Sequence, residues 1–161
     1  QPSSVKKAEF DMVLSGKKLK ESYILLQGDD MKNSSRTLRL YSDRINKMSK
    51  ELEKARSQNQ DVTSIVDVIA ENLRVHETLF FAIDKKRQLL EDSYAFDENF
   101  ALAINSYTQS IMVIDNVKPG VKDRFGVTKN EASQEAEPEL SPVDLPLIQG
   151  SSSAKPRKII Y

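Results

Sequence analysis

The stretch MKNSSRTLRLYSDRINKMSKELEKA, residues 31–55, decides the fold. Met31, Ser34, Leu38, Tyr41, Ile45, Met48, Leu52 and Ala55 recur at alternating steps of three and four. That spacing puts them on one stripe of a helix, as a heptad seam does. Arg39, Asp43, Arg44, Lys47, Lys50, Glu51, Glu53 and Lys54 fall between them and read as a charged, solvated surface. The polar run Ser57-Gln58-Asn59-Gln60 ends the segment as a loop.

Working outward, residues 4–27 form a second periodic segment, with Ala8, Met12, Leu19, Tyr23 and Leu26 at helical spacing. Ser3 or Ser4 is placed to cap its start. Gly28 is placed to end it in a left-handed conformation. Gly16, inside the pattern, either weakens the helix by about 1 kcal/mol against alanine or permits close packing.

On the other side, Asp61 is an expected N-cap. Val62, Ile65, Ile69, Leu73, His76, Phe80, Ile83 and Leu90 follow as a third seam, and Val66, Val68 and Leu79 widen it. The greater width suits a helix inside a bundle. Phe100, Ile104, Tyr107, Ile111 and Ile114 continue the pattern. Polar or charged seam positions at Lys86, Ser93 and Asp97 favour two helices over residues 61–116 rather than one, with Ser93 or Asp97 capping the second. Short loops join antiparallel helices. The sequence therefore predicts an all-α fold, an antiparallel three- or four-helix bundle with coiled-coil-like seams.

Pattern and composition change together near residue 117. Residues 3–116 hold no proline, whereas residues 117–161 hold five of the six prolines and three of the five glycines. The expected organisation is a helical bundle over 1–116 and a long extended tail over 117–161. Glu131, Glu135, Glu137, Glu139 and Asp144 make part of that tail acidic, and prolines 138, 142 and 146 favour an extended chain. Two apolar islands interrupt it: Val143, Leu145, Pro146, Leu147 and Ile148, then Ile159, Ile160 and Tyr161. Islands in a polar segment suit docking on a partner, often by strand addition.

The 161 residues carry 24 basic and 24 acidic side chains, so the formal net charge is zero. A chain without basic excess lacks the electrostatic drive of a nucleic-acid binder. It has no cysteine, which excludes disulfides, thiolate metal sites and cysteine nucleophiles. Its one histidine, His76, excludes any site that needs two. Phe80 stands where a zinc-protease helix requires its second histidine, and no Glu-x-x-His pair exists. His76 is expected on the seam, where burial would make the bundle pH-sensitive.

The carboxylate pairs Asp29-Asp30, Glu51/Glu53, Glu91-Asp92 and Asp97-Glu98 fall on exposed faces or helix ends. Lys6-Lys7, Lys17-Lys18-Lys20 and Lys85-Lys86-Arg87 read as solvated clusters, with an anionic surface as the alternative if helices align them. Asn33-Ser34-Ser35 fits a glycosylation sequon. Adjacent Phe80 and Phe81 cannot share one face, so one of them touches something beyond the seam.

These readings predict no catalytic, cofactor-binding or metal-ligating residue and no cofactor. The expected function is a non-enzymatic structural or adaptor subunit of a larger assembly. It would dock on other protein subunits, identical or different, through Phe80, Phe81 and the two apolar islands. The alternative is a bundle that carries or senses a lipid or other apolar ligand. No apolar run spans a membrane, and peripheral membrane association is open. A start at Gln1 suits a processed, extracytoplasmic protein, with a trimmed cytoplasmic fragment as the alternative.

Overall fold

A computed structural model of the chain describes residues 3–126. The tail islands at 143–148 and 159–161 lie outside the described residues. Among the described residues, four helices make the fold: α1 (Ser4–Gln27), α2 (Met31–Ser57), α3 (Thr63–Arg87) and α4 (Tyr94–Val117), followed by a short 3-10 turn, Val121–Arg124.

Local chemistry explains most of the boundaries. Ser3 caps α1 by accepting the Lys6 N–H, Asp30 caps α2 through the Asn33 N–H, and Ser93 caps α4 through the Phe96 N–H. Each side-chain oxygen satisfies a donor that the first turn leaves without an intrahelical partner. The Ser93 cap splits the continuous pattern after Ile83 into two helices. Two expectations shift by one residue. Val62, not Asp61, is the N-cap of α3, although the Asp61 carboxylate still accepts the Thr63 N–H. Gly28 is right-handed at φ −88°, and the left-handed residue is Asp29 at φ 63°. The turn thus reverses one position later than glycine's freedom suggests.

The helices are arranged as two hairpins. The α1–α2 and α3–α4 hairpins are each antiparallel, and α1 packs beside α3 while α2 packs beside α4. An ion pair from Lys86 to Asp29, 3.1 Å, brings the end of α3 to the α1–α2 turn. Ser35 Oγ donates to the Ala95 carbonyl at 3.2 Å, joining the starts of α2 and α4. Both lateral contacts between hairpins are therefore parallel. The loop from α2 to α3 links helices that face each other across the middle.

The α2 seam is buried from Ser34 to Ala55, with Met31 half-buried. In α1 the buried stripe is Ala8, Met12, Ser15, Leu19, Ser22 and Leu26, and Tyr23 is only half-buried. Serine replaces the aromatic because α1 and α2 approach closely there. Ser22 and Ser34 bond reciprocally: Ser34 Oγ donates to the Ser22 carbonyl at 2.8 Å, and the two hydroxyls lie 2.8 Å apart. Burying a hydroxyl is tolerated when it is bonded in this way.

The compact unit runs past residue 116, to Phe125. Val121 and Phe125 are buried, and the Phe125 ring meets Tyr107 edge-on at 6.3 Å. Gly120, at φ 99°, supplies the turn that folds this strap back, and Asp115 Oδ1 accepts the N–H groups of Gly120 and Lys122. Lys118 and Arg124 both reach Asp67 near the start of α3, at 2.9 and 3.2 Å. Among the described residues, no helix is long and apolar enough to cross a membrane.

Candidate functional site

Three sets of chemistry-bearing side chains emerge from this fold, and two of them are absorbed by it. The first is the middle layer of the bundle. Tyr41 from α2 reaches across to α3, where its hydroxyl lies 3.0 Å from His76 Nδ1. Tyr41 and Phe80 meet edge-on at 5.3 Å, and Phe80 also packs on Phe100 and Tyr107. Gly16 of α1 closes the layer. A Cβ there would sit 3.3 Å from His76 Nε2, so a hydrogen at this position lets the helix backbone pass the ring. Close packing is the role of that glycine.

Burial sets the electrostatics of this layer. It lowers the pKa of His76 from 6.5 to about 4, because the imidazolium loses its hydration. It raises the Tyr41 and Tyr107 phenols, for the same reason acting on phenolate. Near neutral pH the layer is uncharged, and one of the Tyr41–His76 pair donates while the other accepts. The Tyr107 hydroxyl is buried without a hydrogen-bond partner.

The second set comprises the acids and bases at the helix ends, which neutralise one another. Arg87 forms a two-pronged pair with Asp97, and its Nη2 also lies 3.4 Å from Asp92. Hydrogen bonds donated to Asp97 lead the rise in the Arg87 pKa, and a hydrogen bond from Lys118 leads the fall in that of Asp67. Lys18 pairs with Glu21, and Lys85 sits over the Phe81 ring at 5.6 Å. Of the basic clusters singled out by sequence, Lys85-Lys86-Arg87 is thus engaged throughout, and Lys18 in the second. The sequon is engaged too: Asn33 Nδ2 donates to Asp30 at 2.8 Å, and Ser34 and Ser35 are buried.

The third set remains open. Lys7, Phe10 and Asp11 on α1 face Arg44, Lys47, Lys50 and Glu51 on α2 along a groove of about 340 Å³. Asp11 is buried and takes Arg44 at 3.0 Å, which staples the two helices. Lys7, Lys47 and Lys50 have no ion-pair partner among the described residues. Phe10 is 61% exposed between them. Glu51 Oε1 is shielded from solvent and receives no hydrogen bond. Among the described residues, no group of acids and histidine is disposed to hold a metal ion.

Of the sequence-derived docking residues, Phe80 lies in the core and Phe81 is 52% exposed. The helix keeps one of the adjacent rings and turns the other out. Val143, Leu145, Pro146, Leu147, Ile148, Ile159, Ile160 and Tyr161 lie outside the described residues. The groove is what sequence reasoning missed. Arg44, Lys47 and Glu51, three and four apart, share an edge of α2, and Lys7 and Asp11 share one of α1. Those spacings are legible, but the pairing of the two edges is not.

No family model, curated protein or solved structure matches the chain. Fold and groove define its class: a four-helix bundle of two packed hairpins with a basic, part-aromatic groove along the first.

Proposed function

We propose that the chain is a non-enzymatic structural or adaptor subunit of a larger protein assembly. It docks through the bundle surface and through the apolar islands of its C-terminal sequence. The observation that supports this best is the contrast between interior and surface. His76, the chain's one imidazole, is packed inside an aromatic layer with Tyr41 and Tyr107. Phe10 and three unpaired lysines face outward along a groove. A surface mixing an aromatic anchor with unpaired charge suits recognition, since such anchors supply most of the energy at interfaces and charges supply selectivity.

Limited proteolysis with mass spectrometry tests the reading, on the isolated chain and on material from its native source. The expected result is cleavage after residue 126 in isolation and protection there in native material. Equal cleavage in both would overturn docking through the C-terminal sequence. Protection of the isolated chain would overturn it as well, because a partner would then be unnecessary.

A further inference from the structure

We propose that the α1–α2 groove is a docking site for an acidic peptide segment of a partner protein, one that carries apolar side chains among its acids. The inference rests on the adaptor reading and names the chemistry of its partner. Lys7, Lys47 and Lys50 line the groove without carboxylate partners of their own, while Arg44 is held by Asp11. Cations therefore outnumber acids along it. Positive potential concentrated in a groove raises the local concentration of an anionic segment and orients its approach.

Phe10 supplies the apolar element. At 61% exposure it offers a ring face to an aliphatic or aromatic side chain between the charges. Phe10, set among Lys7, Lys47 and Lys50, matches a chain that interleaves apolar side chains with carboxylates, as an acidic peptide does. The part-buried Asp11–Arg44 pair ties the two helices together, so the groove is formed before its occupant arrives.

Fluorescence anisotropy tests this with the full chain and a labelled synthetic peptide of glutamates interleaved with leucines. Competitors are the same peptide with lysine for glutamate, inorganic phosphate, and phosphatidylserine vesicles. The glutamate peptide should bind and weaken as salt rises, because exposed charges are screened. The double variant Lys47→Glu/Lys50→Glu should weaken binding at least about tenfold, and Phe10→Ala several-fold, with thermal melts unchanged. All three positions are exposed, so these variants keep the fold.

Absence of binding, or affinity indifferent to these substitutions, would overturn the proposal. Stronger binding to vesicles than to the peptide, lost in the same variants, would overturn it in favour of a lipid surface. The two levels of inference separate cleanly. Protection by a native partner with no peptide binding removes the groove and keeps the adaptor reading. Peptide binding lost in the variants without tail protection keeps the groove and removes tail docking.

Discussion

His76 is the only histidine in the chain, and its imidazole sits in the middle of the bundle against Tyr41 and Gly16. Burial at this one residue makes the whole fold sensitive to acid. Unfolded, the ring takes its proton near pH 6.5; folded, it does so near 4. Between those values the unfolded chain holds more protons, so stability falls as pH falls through that window. At 1.36 kcal/mol per pH unit the loss by pH 4 is on the order of 3 kcal/mol. The lowered carboxylates of Asp30, Asp61 and Asp67 act below their ordinary value of 3.8, beneath the window. Burial raises the Asp84 carboxyl, which acts in the opposite sense and is common to any variant at position 76. Urea midpoints at pH 6.5 and 4.5 should therefore separate for the natural chain and draw together in His76→Gln. Equal pH slopes in the two proteins would show that the ring is not the sensor.

At the scale of the element, α3 shows how a helix divides adjacent aromatics. Phe80 is 4% exposed and touches rings from α2 and α4, whereas Phe81 points outward. Deleting a packed ring removes its transfer energy and leaves a cavity, so Phe80→Ala should cost about 3–5 kcal/mol. Phe81→Ala should stay within about 0.5 kcal/mol, as exposed positions usually do. Chemical denaturation of the two variants checks the contrast, and comparable losses would place both rings inside. The seams that bury Phe80 were legible because a helix repeats every 3.6 residues and its apolar face is written in one short window. The caps at Ser3 and Ser93 were legible for the same reason, whereas Asp30 was read only as an acid at a helix end. Ser15 and Ser22 were not read as core, although they occupy the buried face of α1. Burial of Ser22 depends on the reciprocal bond to Ser34, which belongs to another helix, while the Ser15 hydroxyl donates to the Met12 carbonyl of its own helix.

At the scale of the molecule, the strap after α4 completes the fold. Val121 and Phe125 bury apolar surface, and Lys118 and Arg124 tie it to Asp67 at the start of α3. The ion pairs are surface-exposed and contribute little by themselves. The two apolar side chains contribute about 1.5–3 kcal/mol each. A chain ending at Asn116 should therefore melt at a lower temperature than one ending at Gly126, by more than an Asp67→Asn change in the longer chain. Indistinguishable melting of the two truncated chains would show that the strap is not part of the cooperative unit.

By itself the sequence determined that the chain is all-α, where two of its helices are capped, and which stripe of α2 and α3 turns inward. Each of these follows from side chains within a turn or two of one another, so local spacing and hydrogen-bonding chemistry suffice. Only the tertiary structure decided that α2 and α3 face each other across the centre, that Gly16 gives room to His76, and that residues 118–125 fold back on the bundle. It also decided which charges pair: Lys86 and Lys118 reach acids on other elements, while Lys7, Lys47 and Lys50 meet across two helices with no such partner among the described residues. These outcomes depend on how the side-chain volumes of four helices fit together, a sum over the whole molecule that no single stretch of sequence contains.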